Sequence, residues 1–385
     1  MPSMTVAWRF ASSPSPLPES GIDSLSHSPP GTGIISGRPI LAPALFLLPL
    51  SFVFSFEPIT IESIPTFFDP ESALMIKRIT TLTVNPTIDI NTRVEKVRAD
   101  EKLRCHRPRR EPGGGGLNVS RAILRLGGSS RALYLRGGPT GKMLEEILTE
   151  EGLEQDPIGS KDWTRENFHI LEEASGDQYR FGMPGPRIRE EEWQGCLQRI
   201  ADLEPAPHYL VASGSLAREM PDDFYARLAR IAAEIDARLI VDTSGPALQH
   251  ALEAGPFLIK PNRSEFEALI GEDLSDADAL RTAARDLIAK SSLSMVLISL
   301  GSQGALLVTD QEADSIEAPQ VEARSKIGAG DSMVAGTVLG LARGLDPKMA
   351  ARFGVAAGAA AVLTEGTELC RREDTERLFE QFRPS

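Results

Sequence analysis

Leu258-Ile259-Lys260-Pro261-Asn262-Arg263-Ser264-Glu265-Phe266-Glu267 reads as a strand, a turn and a helix in immediate succession. The apolar run ending at Lys260 is strand-like, and Pro261 stops it. Ser264 with Glu267 fits a reciprocal helix cap, which gives that pair a structural use. Asn262 and Glu265 then fall where the C-terminal edge of an α/β sheet presents ligand-binding groups. Glu265 is either a solvated helix residue or a carboxylate that holds Mg²⁺ through water, because Mg²⁺ keeps several of its waters.

The same unit recurs on both sides of this stretch. Ile79 to Val84, Arg131 to Arg136, His208 to Ala212, Arg238 to Asp242 and Pro256 to Lys260 read as buried strands that end in polar or glycine-rich loops. Val296 to Leu300 and Ala305 to Thr309 flank Gly301-Ser302-Gln303-Gly304 as a hairpin. Leu117 to Leu126, Lys142 to Glu151, Asp331 to Arg343 and Lys348 to Leu363 read as helices, the last two so rich in Ala and Gly that they must pack closely. This alternation predicts an α/β fold with a mostly parallel sheet. Two stretches break the rhythm, Asn91 to Pro108 and Asn167 to Met183. They are read as strands of a smaller sheet, either a lid over a site or a surface excursion.

Two glycine clusters open helices. In Ile327-Gly328-Ala329-Gly330-Asp331-Ser332-Met333 the helix start offers unpaired N–H groups and a partial positive charge, which suit a phosphoryl group. Asp331 is either the helix cap or a base for a substrate hydroxyl. In Gly113-Gly114-Gly115-Gly116-Leu117-Asn118 the glycines either let the backbone approach a ligand, with Asn118 as a hydrogen-bonding side chain, or form a hinge.

The chain has 385 residues, 41% hydrophobic and 25% charged, with a formal charge of −13. That balance argues against broad binding to nucleic acid or to an anionic membrane, so an anionic substrate needs a local cluster of cations. Lys102, Arg104, Arg107, Arg109, Arg110, Arg165 and Arg180 supply either such a cluster or a solvated basic face. Cys105, Cys196 and Cys370 form no disulfide framework or zinc site, which fits a reducing, cytoplasmic compartment. His27, His106, His169, His208 and His250 show no metal-ligand spacing. Gly137 to Met143 departs from a phosphate loop at its first glycine and at Met143. No G-x-G-x-x-G follows a strand, which excludes a standard dinucleotide site.

Residues 1–74 differ from the rest. They hold no Lys, many Pro and Ser, and a charge of −4, leaving −9 for the remainder. Pro39 to Phe56 is uncharged but broken by Pro39, Pro43 and Pro49. The segment reads as a disordered extension or as sequence upstream of a true start at Met75, with a membrane or targeting segment as the alternative. Function is expected in residues 75–385.

Taken in order, Asn85-Pro86-Thr87-Ile88-Asp89, the glycine loop with Asn118, Lys260-Pro261-Asn262 with Glu265, and Gly328-Ala329-Gly330-Asp331 resemble the ribokinase-like (PfkB) carbohydrate kinases. The resemblance covers essentially all of residues 75–385. Glu101 to Cys105, Asp162 to Arg165, Ala174 to Gly176 and Phe353 to Gly358 are similar to the branch that phosphorylates fructose 6-phosphate. Kinases of tagatose 6-phosphate and fructose 1-phosphate usually carry Lys where this chain has Gly115.

The resemblance implies a three-layer sandwich of helices around a parallel-rich sheet. It also implies a β-lid that pairs as a clasp in a homodimer. The implied reaction is ATP-dependent phosphorylation of the C1 hydroxyl of fructose 6-phosphate, with the tagatose 6-phosphate and fructose 1-phosphate kinases as alternatives and an inactive sugar-phosphate sensor as a distant one. Asp331 would be the base, and Gly328, Ala329 and Gly330 the anion hole. Asp89, Gly114, Gly115, Asn118 and Arg165 would hold the sugar phosphate, with Lys102 and Arg180 near its charge. Lys260, Asn262, Ser299, Gly301 and Gly304 would line the ATP site, and Glu265 would sit near Mg²⁺. Ser325, Ile327, Ala361, Thr364, Gly366 and Glu368 would surround K⁺, although Thr364 and Glu368 stand where the nearest pattern has Asn and Arg. Gly214 to Arg218 also departs, lacking the usual Pro-Pro-Gly after Leu216.

Overall fold

The computed structural model describes residues 77–274, 276–364, 366 and 368–382. The run Pro39 to Phe56 and the start expected at Met75 lie outside the described residues. In chain order the elements begin with β1 (Ile79–Thr83), β2 (Thr87–Val94), β3 (Arg109–Gly113), α1 (Gly115–Arg125), β4 (Arg131–Arg136), α2 (Gly138–Glu150) and β5 (Glu154–Gly159). Next come β6 (Arg165–Glu172), β7 (Gln178–Phe181), α3 (Glu190–Ala201), β8 (Tyr209–Ser213), α4 (Phe224–Glu234), β9 (Arg238–Asp242) and α5 (Pro246–Glu253). The rest are β10 (Leu258–Ile259), α6 (Arg263–Ile270), α7 (Ala277–Lys290), β11 (Met295–Ser299), β12 (Ala305–Thr309), β13 (Ala313–Ile316), α8 (Ala329–Ala342), α9 (Pro347–Val362) and α10 (Arg372–Phe379).

The large sheet runs β13-β12-β11-β10-β9-β8-β1-β4-β5. Its pairs are parallel from β5 through to β11, and antiparallel where β12 and β13 close the far edge. Strand alternation sorts the core into two layers. Leu210 and Ala212 of β8 point into the cluster built with Trp193, Phe224, Phe266 and Leu280, from α3, α4, α6 and α7. Tyr209 and Val211 point the other way, into the cluster with Ile123, Val338, Ala356 and Leu378, from α1, α8, α9 and α10. The sheet is therefore sandwiched by helices, as the resemblance implies.

Helix α8 is apolar on all sides and nearly every residue from Ser332 on is buried, the mark of a helix wrapped by protein. Its Gly336 faces α9 so tightly that a Cβ there would come 2.9 Å from Ala357 Cβ, Gly354 Cα and Phe353 O. The expected Ala and Gly packing of the two helices is the result.

The second sheet has the order β3-β2-β6-β7. Its first strands lie at Thr87–Val94 and Arg109–Gly113, so the expected stretch Asn91 to Pro108 is mostly the loop between them. The expected strand over Pro256 to Lys260 shortens to Leu258–Ile259, because Pro261 has no N–H to continue the ladder. Helix α2 begins at Gly138, ahead of the expected Lys142, because Pro139 has the fixed φ of a first helical turn. Among the described residues no helix is long and apolar enough to cross a membrane.

Candidate active site

The strand order reverses around β1, which lies between β4 and β8, and the carboxyl ends of β1, β8, β9 and β10 border the crevice there. Two helix N-termini meet at this edge. Helix α8 is capped by Gly328 in the left-handed conformation (φ 75°), so Asp331 lies in the first turn and is not the cap. The cap alternative for Asp331 is therefore set aside, and its side chain is bonded to another element. Its Oδ2 accepts a hydrogen bond from Asn118 Nδ2 at 2.9 Å, across from the first turns of α1.

The glycine loop explains its composition by contact. Gly114 caps α1 at φ 113°. A Cβ on Gly115 would overlap Ser213 Oγ and the Ser213–Gly214 backbone, and one on Gly116 would overlap Leu82 O. The loop is thus seated against the ends of β1 and β8.

Asp331 faces three charged or polar neighbours. Loss of water around the carboxyl and, next, the negative charge of Asp242 push it up to about 6; the Asn118 bond and the Lys260 ammonium pull the other way. Lys260 is buried at the end of β10, with Nζ 3.1 Å from Asp242 Oδ1. Burial by itself lowers its affinity for the proton, but the Asp242 carboxylate outweighs this and holds it above the usual lysine range. A Cβ on Gly330 would lie 3.6 Å from Lys260 Nζ, so the ammonium stands over the start of α8.

Among the residues expected to hold the sugar phosphate, Asp89 is brought by the second sheet into register with Glu111 and Asn167 on adjacent strands. Asn167 Nδ2 donates to Asp89 Oδ1 at 3.0 Å, and burial raises the Asp89 carboxyl. Arg165 Nη2 donates to Asn85 O and Nη1 to Met183 O, both at 3.3 Å, and burial lowers this guanidinium. Asn85 Oδ1 and Arg165 Nε are buried without a partner. Lys102 and Arg180 are not drawn in: Lys102 is exposed on the loop after β2, and exposed Arg180 bonds Gln178 on its own strand. A cavity of about 950 Å³ extends from this sheet to the loop before α8, with Asn91, Arg109 and His169 on one side and Arg324 and Ile327 on the other.

Among the residues expected to line the nucleotide, the helix cap differs from the expected pair. Asn262 caps α6 and Glu265 is its third residue: Glu265 N donates to Asn262 Oδ1 at 2.9 Å, and Asn262 N donates to Glu265 Oε2 at 2.8 Å. Ser264 and Glu267 lie inside the helix, two residues too late for the role the sequence suggests. Ser299 N donates to Pro261 O, bridging β11 to this loop. Gly301 and Gly304 both have positive φ, and a Cβ on Gly304 would collide with Ile316 O.

The remaining set gathers oxygen atoms beside α8. Ser325 Oγ donates to Gly366 O at 2.7 Å, Ile327 N donates to Ser325 Oγ, and Thr364 Oγ1 lies 2.7 Å from Ala361 O and 2.8 Å from Glu368 O. Thr364 has one proton for two carbonyls. Glu368 turns its carboxylate outward, to Arg371 at 3.0 Å and Arg109 at 3.6 Å.

Sequence reasoning missed Asp242, Ser213, Asn85 and Asn167. Asp242 carries a faint signal, a carboxylate ending an apolar strand. The other three act through partners distant in sequence.

Comparison with known proteins identifies the family and the fold. The profile of the pfkB family carbohydrate kinases matches residues 82–374. The ATP-dependent 6-phosphofructokinase isozyme 2 of Escherichia coli strain K12 is 42% identical over 303 residues, covering 78% of this chain and 98% of that protein. Solved structures of phosphofructokinase-2 from Escherichia coli, one in complex with potassium and one with fructose-6-phosphate, superpose with TM-scores of 0.76 and 0.74 at 41% identity. Each covers 79% of this chain and 99% of the solved one. The chain belongs to the pfkB family of carbohydrate kinases and has its ribokinase-like fold.

Proposed function

We propose that the chain transfers the γ-phosphoryl group of ATP to the C1 hydroxyl of fructose 6-phosphate, giving fructose 1,6-bisphosphate and ADP. The observation that carries the reading is the junction of Asp331 and Asn118 at the start of α8, with the Lys260 ammonium beside it. Asp331 takes the proton of the C1 hydroxyl as the sugar oxygen bonds to the γ-phosphorus. The bond from that phosphorus to the β,γ-bridging oxygen breaks, and ADP leaves with the electron pair. The first-turn amides of Gly328, Ala329 and Gly330 and the ammonium of Lys260 face the charge on the migrating group.

Asp89, Asn118, Arg165 and the backbone of Gly114 and Gly115 hold the sugar phosphate in this reading. Asn262, Ser299, Gly301 and Gly304 line the nucleotide. Lys102 and Arg180 keep a place near the sugar's charge only if their exposed segments fold over it. The donor chemistry of Glu265, a hard carboxylate at the nucleotide edge, fits Mg²⁺ held through water. The oxygens of Ser325, Ile327, Ala361, Thr364, Gly366 and Glu368 fit a monovalent cation such as K⁺, with one hydroxyl proton shared between two carbonyls. These ions, when bound, supply positive charge that offsets the phosphates. The second sheet acts as the lid and as the contact between two copies of the chain.

Gly115 favours fructose 6-phosphate over the neighbouring substrates. A Cβ on Gly115 would meet Ser213 and Gly214, so this backbone has no room for the Lys usual there in kinases of tagatose 6-phosphate and fructose 1-phosphate. ADP release measured with each of the three sugars tests the choice. The highest kcat/KM is expected with fructose 6-phosphate, and a higher value on either other sugar overturns it.

A further inference from the structure

Lys260 and Asp331 carry opposite charges, face each other in the crevice, and feel each other electrostatically. Yet they form no ion pair within 4 Å among the described residues. Each is held elsewhere: Lys260 Nζ by Asp242 Oδ1 at 3.1 Å, and Asp331 Oδ2 by Asn118 at 2.9 Å. Asp242 is itself fixed at the end of β9. Its Oδ2 accepts from Ser213 Oγ at 3.2 Å, its carbonyl accepts from Gly214 N at 2.9 Å, and only 14% of its side chain is exposed. Ser213 is fully buried behind Gly115. One carboxylate therefore ties the phosphate-side ammonium to the sugar-side loop.

A buried ammonium with no partner seeks the nearest anion, and here that is the proposed base. A Lys260–Asp331 pair would do harm twice. It would weaken Asp331 as a proton acceptor, and it would draw the ammonium away from the phosphoryl group. We propose that Asp242 is a positioning residue whose carboxylate keeps the Lys260 ammonium off Asp331, so that the base stays available and the ammonium stays over the phosphoryl site. The groups around the pair are Asp242 from β9, Asn118 from α1 with Arg121 behind it at 3.4 Å, and Glu265 from α6. Tyr225 of α4 and Ser213 of β8 face Asp242.

This inference rests on the phosphotransfer reading, and the experiment separates the two. Turnover of the wild-type chain is measured against pH first; no turnover with any of the three sugars sinks the phosphotransfer reading itself. With an active wild type, Asp242→Asn is expected to move the acid limb of kcat/KM down by about one pH unit. It is also expected to lower kcat by roughly tenfold to a hundredfold and to raise KM for ATP. The second ionisation of the sugar phosphate, near pH 6, is common to both enzymes and cancels in the comparison. Asp242→Glu restores most of the limb. Adding Asp242→Asn to Lys260→Met costs nothing further, because the harmful pair can no longer form. An unmoved limb in folded Asp242→Asn, or a further loss in the double variant, overturns the inference. Should Asp242→Asn fail to fold, Ser213→Ala loosens the same carboxylate and must move the limb in the same direction; an unmoved limb there overturns it equally.

Discussion

Asp331 carries the proposed chemistry, and its surroundings set when it works. A base acts only when ionised, and this carboxyl is pushed up to about 6 by loss of water and by Asp242. Activity is therefore expected to be flat above about pH 7 and to fall about tenfold per unit below 6, as the protonated fraction grows. Asp331→Asn is expected to lower kcat by about 10²–10⁴ while leaving the KM for sugar within a small factor. Unchanged turnover would remove the base assignment. The same shift has a stability consequence of opposite sign. A carboxyl whose folded value lies above its unfolded value of 3.8 disfavours folding wherever it is ionised in both states, that is, above about pH 6. The penalty fades as pH falls from 6 toward 4. Asp331→Asn should raise the thermal midpoint at pH 8 more than at pH 5, and a midpoint that drops equally at both would contradict the electrostatic account.

At the scale of elements, the base is placed by the packing of α8 on α9. Gly336 has no room for a side chain against Phe353, Gly354 and Ala357. Gly336→Val should pry the helices apart, cost roughly 1–3 kcal/mol of stability, and lower kcat more than the loss of folded protein explains. Urea midpoints with single-turnover rates check this; a rate per folded molecule equal to wild type would show that the tilt of α8 does not matter. This element was legible early because its message is local: Gly328 to Asp331 and the small residues behind them sit in one run. The strand–turn–helix at Lys260 was legible for the same reason. Its cap was misplaced by two residues because Ser264–Glu267 and Asn262–Glu265 share one spacing, and only the backbone start of α6 decides between them. Asp242, Ser213 and Asn167 were illegible because they act across strands. Ser213 and Asp242 face each other through the β8–β9 register, 29 positions apart, and Asn167 reaches Asp89 over 78. No local pattern encodes such pairs.

For the whole molecule, the second sheet is covered on one side only in part. Ile88 and Ile90 are buried against Leu117, Tyr134 and Leu144 of the body. Farther along, Phe168 pairs in register with Phe181, and Phe181 and nearby Met183 remain 48% and 39% exposed. An edge of apolar side chains on a polar chain with net charge −13 is a surface that association would bury. The strands that carry it also carry the proposed sugar ligands. Arg165 and Asn167 precede Phe168 on β6, and Asp89 lies on the adjoining β2. Self-association through this sheet would therefore stiffen the sugar side while leaving Lys260 and Asn262, on the large sheet, untouched. Phe181→Glu places a charge in the proposed contact. It should shift sedimentation from dimer toward monomer at micromolar concentration and raise the KM for sugar several-fold, with the KM for ATP nearly constant. A wild-type chain that sediments as a monomer at all concentrations would refute the clasp. A variant that stays dimeric with an unchanged sugar KM would place the contact elsewhere.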